Sequence, residues 1–177
     1  MSIVLVGSTS GSITLQEPAV AGSTVLTLPA VTGTVLTDTS PKVGNVIQVV
    51  NATYSTGTTN GTTTYADTGL TATITPTSSS SKILILVNQS GLNNSQANSG
   101  TTVQLLRSST SLIVFASFYG FAFTGAVMGA SACYLDSPAT TSATTYKTQF
   151  RRGAGSGDAY VQDNSSTSTI TLMEIAA

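Results

Sequence analysis

Few side chains in this 177-residue chain could take part in chemistry, and they are scattered along it. The sequence has no histidine and a single cysteine, Cys133, which excludes His-dependent catalytic triads, the usual zinc-ligand sets and a disulfide framework. Its Ser-rich segments contain no nucleophile-elbow pattern and no phosphate-binding glycine loop. We therefore predict that the protein is not an enzyme and has no catalytic residue, cofactor or metal site. Cys133 is interpreted as a small buried hydrophobe.

Two of the acidic residues lie close together, Asp158 and Asp163 in the segment GDAYVQDN. Their spacing places them on opposite faces of a strand, which suits neither acid–base catalysis nor a shared ion. If they flanked a turn instead, they could bind Ca²⁺ together with Asn164, because this ion prefers several oxygen ligands. That ligand set is small, so solvated acids at strand ends are the favoured interpretation.

Arg151 and Arg152 form the only pair of adjacent basic residues. They could bind Asp136 or Glu174 of a neighbouring copy, or an acidic glycan. The favoured interpretation is an exposed strand end, because exposed ion pairs contribute little to stability.

The low charge of the chain limits its partners. It has six Lys and Arg against seven Asp and Glu, a net charge of −1, and charged residues make up 7% of the sequence. Such a chain has no basic surface to attract a polyanion, so nucleic-acid binding is not expected. Its 40% hydrophobic content falls in strand-like runs, which predicts an ordered, β-rich protein.

An eleven-residue repeat opens the sequence. Gly11-Ser12 is followed by Gly22-Ser23 and Gly33-Thr34, and prolines recur at Pro18 and Pro29. Proline and glycine exclude a helix, so the pattern predicts short strands that cannot form a core alone. We interpret residues 1–43 as an attachment arm. Its predicted capsid contacts are the apolar strand residues Ile13, Leu15, Val25, Leu26, Leu28 and Val35.

Residues 44–177 have the pattern of an all-β domain. Eight or nine strand-like segments alternate with turn signals, such as Asn60-Gly61, at roughly ten-residue spacing. In one segment Leu70, Ala72 and Ile74 share a face. This pattern predicts an antiparallel β-sandwich or jelly-roll-like knob.

The segment from Ser108 to Leu135 has no charged residue and is long enough to cross a bilayer. Gly120, Gly125 and Gly129 interrupt it and no basic cluster flanks it, so two aromatic-rich strands, buried in a core or a subunit interface, are favoured over a membrane span. Because interface centres favour aromatic residues and exclude charge, we predict a subunit interface here. Its predicted contacts are Val114, Phe115, Phe118, Phe121 and Phe123.

Two parts of the sequence resemble known proteins. The segment SGSITLQEPAVAGSTVLTLPAVTGTVLT resembles an N-terminal segment of virion surface proteins from tailed phages of aquatic bacteria. The segments beginning GNVIQVVNATYS and YLDSPATTSATTYKTQFR resemble a module of the same proteins. The resemblance implies a homotrimer with a jelly-roll-like knob and an N-terminal attachment segment. It also implies a virion surface location after assembly in the host cytoplasm, which agrees with an opening segment that lacks a signal-peptide pattern.

Two functions are compatible with this resemblance. The first is a capsid decoration or cement protein that binds the major capsid protein and stabilises the assembled shell. The alternative is a short tail or head fibre whose knob binds a host glycan. Candidate glycan contacts are Tyr54, Tyr65 and Tyr160 with Asn93 and Asn94. The short chain favours the first, because a receptor-binding fibre commonly has a long shaft.

Overall fold

The computed structural model describes residues 3–6, 12–15, 42–119 and 127–177. The chain divides into two compact units, Met1–Leu36 and Thr37–Ala177. In the described part of the first unit, β1 (Ile3–Val6) pairs antiparallel with β2 (Ser12–Leu15). The boundary at residues 43 and 44 between arm and knob stays a prediction.

The second unit is a β-sandwich, here called the knob. Its described strands are, in chain order, β3 (Val46–Tyr54), β4 (Thr58–Asn60), β5 (Ala66–Ile74), β6 (Lys82–Asn94), β7 (Gly100–Arg107), β8 (Thr110–Tyr119), β9 (Met128–Asp136), β10 (Thr144–Arg152), β11 (Ala159–Val161) and β12 (Ser168–Ile175). A 3₁₀ turn at Asp163–Ser165 separates β11 from β12.

Two antiparallel sheets form the knob. One has the order β5-β10-β7-β8. In the other, β6 lies between β12 and the edge strand β9, and β3 pairs with the far side of β12. Near the end of β6, the short strand β11 pairs antiparallel with β6 on one side and with β4 on the other. The orders β3-β12-β6-β9 and β5-β10-β7-β8 are those of a jelly roll, which confirms the predicted fold class.

Alternating burial along the strands builds the core. Leu70, Ala72 and Ile74 on β5 are all buried, as their spacing predicts. They pack with buried residues of both sheets in one cluster, which includes Ile85, Tyr146 and Leu172. A second buried cluster contains Leu92, Val103, Phe150, Ala159 and Val161. Burial of each large apolar side chain stabilises the knob by about 1.5–3 kcal/mol.

Buried polar side chains connect the two sheets through the interior. Thr148 Oγ1 lies 2.6 Å from Thr68 Oγ1 and 2.8 Å from Gln89 Oε1. Gln89 and Gln162 each donate a hydrogen bond to Ser168 Oγ at 3.0 Å. All five side chains are buried. A hydrogen-bonded polar set of this kind fixes the relative register of the strands, because any slip would leave buried groups without partners.

The two ends of the knob differ. At the entry end, Gly44 N donates to Ala176 O at 2.7 Å, so the start of β3 lies beside the C-terminal residues. At the opposite loop end, the connections before β5, after β6 and before β11 come together. Residues 110–119 and 128–135 of the charge-free segment lie in strands, and no helix in the described ranges is long and apolar enough to span a membrane.

Candidate functional site

The loop end is held together by hydrogen bonds between connections that are distant in sequence. Ser95 N donates to Asp158 O at 3.0 Å, and Asp158 N donates to Ser95 Oγ at 2.8 Å. Arg152 N donates to Thr62 O at 2.9 Å. Asn60 Nδ2 donates to Phe150 O at 3.1 Å, which fixes the start of the loop before β5. The loops therefore present one cross-bonded polar surface.

A small polar and aromatic group lies beside this end. Tyr160 on β11 is the register partner of Asn93 on β6, and both residues are half-buried. Asn93 Nδ2 donates to Asp163 Oδ2 at 2.7 Å, while Asp163 Oδ1 accepts from Asn164 N at 3.0 Å. We call Tyr160, Asn93 and Asp163 the tyrosine group. An aromatic ring beside fixed amide and carboxylate groups can stack on a sugar and hydrogen-bond to its hydroxyls.

The other candidate glycan contacts lie elsewhere. Tyr65 stacks with Arg151, whose guanidinium carbon is 5.1 Å from the ring centroid. Tyr54 packs so closely over Gly69 that a Cβ there would lie 2.2 Å from its ring. Asn94, the last residue of β6, donates from Nδ2 to Ser99 O at 3.1 Å across the loop that follows this strand. Of the five predicted residues, the structure therefore brings Tyr160 and Asn93 together.

The candidate Ca²⁺ ligands have partners within the chain. Asp163 accepts from Asn93 and Asn164, while the backbone of Asp158 is hydrogen-bonded to Ser95. Among the described residues, no three His, Cys, Asp or Glu side chains lie close enough to bind one metal ion.

Arg151 and Arg152 are not an exposed strand end, because both are half-buried. Arg151 stacks on Tyr65, and Arg152 Nη1 donates to Gly157 O at 3.3 Å. Asp136 and Glu174, the acids considered as alternative partners on a neighbouring copy, have partners in their own chain.

Asp136 is bound by Arg107 and Tyr146. Arg107 Nη1 lies 2.9 Å from both carboxylate oxygens of Asp136, and Tyr146 Oη donates to Oδ2 at 2.7 Å. Burial, together with the adjacent Asp136 carboxylate, raises the pKa of Tyr146, so the phenol stays protonated and keeps donating. This group links β7, β9 and β10 at the entry end.

Glu174 is the buried carboxylate of β12 and is inaccessible to solvent. Burial alone would raise its pKa, but hydrogen bonds from Gln48 and Thr77 outweigh that effect and hold the pKa below its ordinary value. Thr77 donates from both N and Oγ1 at 2.7 Å. Glu174 therefore anchors the connection after β5 to the opposite sheet.

The outer face of the β5-β10-β7-β8 sheet is polar and internally hydrogen-bonded. Lys147 Nζ lies 2.9 Å from Asp67, and Gln149 Nε2 donates to the same carboxylate at 2.7 Å. Gln104 continues this chain of contacts by donating to Gln149 Oε1 at 3.0 Å and accepting from Ser111 at 2.9 Å. Val114 lies on this face and is 49% exposed.

The outer face of the other sheet is apolar at its centre. Strand register places Val49, Met173, Leu84 and Leu135 side by side in one row across β3, β12, β6 and β9. In the next row Thr171 is opposite Leu86, and Leu86 is opposite Cys133. We call Val49, Met173, Leu84, Leu135, Leu86 and Cys133 the apolar face. Cys133 is exposed here, so its interpretation as a buried hydrophobe was wrong: the alternation of β9 turns it outward.

The predicted contacts fall in several places. Ile13 and Leu15 lie on β2, while Val25, Leu26, Leu28 and Val35 lie outside the described residues, as do Phe121 and Phe123. Phe115 and Phe118 are partly buried against the core of their own knob, and Val114 is exposed. The capsid contacts and the subunit contacts both stay predictions.

Sequence reasoning missed the apolar face, although a signal was present. In the segment KILILV, the five residues after the lysine are all apolar. A strand with one solvent-exposed face would instead alternate apolar and polar residues. Such a continuous apolar run is typical of a strand that is buried on both faces. The structure leaves Leu84 half-buried and Leu86 38% exposed.

Comparison with known proteins gave no sequence relative. No protein-family model matches the chain, and no curated protein is a significant match. Solved structures of infectious bursal disease virus particles are remotely similar in fold. The VP2 subviral particle matches with 10% identity and a TM-score of 0.47, over 73% of this chain and 32% of that one. The T=1 particle matches with 13% identity and a TM-score of 0.45, over 98% of this chain and 44% of that one.

A third structure, of the Gt strain of the same virus, has 12% identity and a TM-score of 0.44 over 98% of this chain and 46% of that one. The chain thus spans less than half the length of these proteins. Likenesses this remote carry no argument about function.

Proposed function

We propose that this chain is a virion structural protein, and specifically that it decorates an assembled capsid. The observation that supports this proposal is the division of the chain into two units. The knob has its own core, built from both of its sheets. The N-terminal unit carries the repeat that resembles the attachment segment of phage virion proteins.

The proposed mechanism is stabilisation by binding. A protein that binds the assembled shell and not its free subunits shifts the equilibrium toward the shell. Several linked arms that bind neighbouring capsid subunits raise the overall affinity above that of any single contact. The apolar residues of the arm, including Ile13 and Leu15, supply this contact in the proposal.

Quantitative mass spectrometry of purified virions tests the proposal. We expect a copy number in a fixed ratio to the major capsid protein, set by icosahedral symmetry. A few copies per particle would contradict decoration and place the protein in a tail or head fibre. Absence from purified virions would contradict both functions.

A second candidate function is a short fibre whose knob binds a host-surface glycan. The tyrosine group favours it, because Tyr160 lies beside Asn93, which is hydrogen-bonded to Asp163, at the loop end. Under this alternative, Tyr160→Ala abolishes binding of the knob to host-cell polysaccharide. Tyr65→Ala is the matched control, since Tyr65 is stacked on Arg151.

A further inference from the structure

The two outer faces of the knob differ in polarity. On the β5-β10-β7-β8 sheet, polar side chains hydrogen-bond across the strands. On the other sheet, the apolar face exposes 57% of Val49 and 51% of Leu135 at the two ends of one row. Contiguous exposed apolar surface of this kind marks an interaction site.

We propose that the apolar face is covered by a second copy of this chain. The apolar face contains no charged residue, and the exposed Lys82 lies at the end of β6 in the adjoining row, so the centre of such a contact has no charge repulsion. The same face has a shallow cavity of about 490 Å³ beside Leu86, Cys133 and Thr171. Projecting side chains and a depression on one surface are what a contact between identical copies needs.

The edge strand β9 extends this face and points to the same partner. Residues 128–135 contain neither charge nor proline, although these are the usual means of keeping a sheet edge from pairing. By contrast, Asp67 and its partner Lys147 place charges on the edge strand β5 and its neighbour in the other sheet. An unprotected edge beside an apolar face is stable in a soluble protein when a partner covers it.

The outer surface of this sheet, with the apolar face at its centre, is large enough for such a contact. Strands β3 and β9 have nine residues each and β12 has eight. At usual β-strand spacings, four such strands cover roughly 30 by 19 Å, so two faces bury roughly 1,100 Å². A specific interface needs about 1,000 Å². The whole outer surface of this sheet must therefore meet the second copy, with the apolar face at its centre and polar residues such as Asn51 and Asn88 around it.

Substitution of two matched residues tests the proposal. Leu135 on β9 and Val114 on β8 are both edge-strand hydrophobes, 51% and 49% exposed, on opposite outer faces. We expect the purified full-length chain to be oligomeric by analytical ultracentrifugation. Leu135→Asp should lower its mass to that of a monomer, whereas Val114→Asp should leave the oligomer intact. The reverse result would place the interface on β8 and overturn the proposal.

The single cysteine gives a second readout that needs no destabilising substitution. Because Cys133 lies on the apolar face, maleimide should label it roughly ten-fold more slowly than a freely exposed thiol, and dilution to the monomer should remove this protection. The reference thiol is introduced by Ser79→Cys in a Cys133→Ser background, at an exposed loop position.

Three outcomes would overturn the proposal. The first is a monomeric chain with a rapidly labelled Cys133. The second is a monomer in which Cys133 labels slowly, since this would place the arm of the same chain on the face. The third is an oligomer in which Cys133 labels as fast as the reference thiol. If Leu135→Asp does not fold, Val49→Asp tests the other end of the same row. All these measurements use particle-free protein, so they are independent of capsid binding.

Discussion

At the residue scale, the few ionisable side chains of the knob act as structural links. Glu174 is inaccessible and accepts hydrogen bonds from Thr77, while the exposed Asp67 accepts from Lys147 and Gln149. Hydrogen bonding outweighs burial and lowers the pKa of both carboxylates. In a chain with 7% charged residues, a buried carboxylate fixes a loop because its removal leaves several donors without an acceptor.

The pH dependence of stability tests this role of Glu174. Because its pKa is lowered in the folded state, its contribution is fully present above the ordinary value of 4.5 and is lost as the pH falls through the folded pKa. Glu174→Gln should destabilise the knob by about 2 kcal/mol at pH 7. Below pH 4.5, the free energy of unfolding should also fall less steeply in this variant than in the unsubstituted protein, as measured by denaturant unfolding at several pH values.

Asp67→Asn is the control for this experiment. The side chain of Asp67 is 55% exposed, so its removal should cost less than 1 kcal/mol. Equal losses in the two variants would contradict the structural role assigned to Glu174.

At the element scale, a single bulge divides the long strand β6 between two partners. Before the bulge, β6 pairs with β12, and after it with β11. Gly91 has φ +66°, and a Cβ there would lie 2.3 Å from Asp163 N. Gln162, directly after the neighbouring strand β11, also has a positive φ of 52°. The bulge thus positions the tyrosine group at the loop end.

Gly91→Ala should therefore destabilise the knob by more than about 2 kcal/mol, because both the backbone angle and the contact with Asp163 oppose a side chain. Gly129→Ala on β9 is the matched control. A Cβ at Gly129 would meet its nearest atom at 3.6 Å, an ordinary contact. Thermal unfolding of the two variants gives the comparison. Similar midpoints would show that the bulge tolerates a side chain.

The positions of the strands could be predicted from the sequence, but which strands lie side by side in a sheet could not. Alternation identified the buried face of β5 at Leu70, Ala72 and Ile74 because burial there follows a period of two. The same local rule does not specify which strands adjoin. The pairing of Tyr160 with Asn93, which lies 67 positions earlier, follows from the jelly-roll order of the sheets. In the aromatic segment, composition alone does not distinguish a core from an interface: Phe115 and Phe118 pack partly against the core of their own knob, and the subunit contact stays a prediction.

At the whole-molecule scale, low charge shapes how this protein associates. With a net charge of −1, solubility depends on hydroxyl and amide groups, and electrostatic repulsion between copies is weak. One outer face of the knob is covered by its own polar contacts, and the other has the apolar face. A knob that meets sister copies through one face leaves its loop end and the arm for other partners.

Deletion of residues 1–43 tests whether the arm and the knob have separate roles. The described residues of both core clusters lie after this segment, so the truncated protein should fold with an unfolding midpoint close to that of the full chain. It should also keep the oligomeric state of the full chain, because the apolar face lies entirely in the knob. Binding to purified capsids that lack the protein, measured by co-sedimentation, should be lost. A truncated knob that still sediments with capsids would move the attachment surface to the knob, and one that fails to fold would show that the arm completes its core.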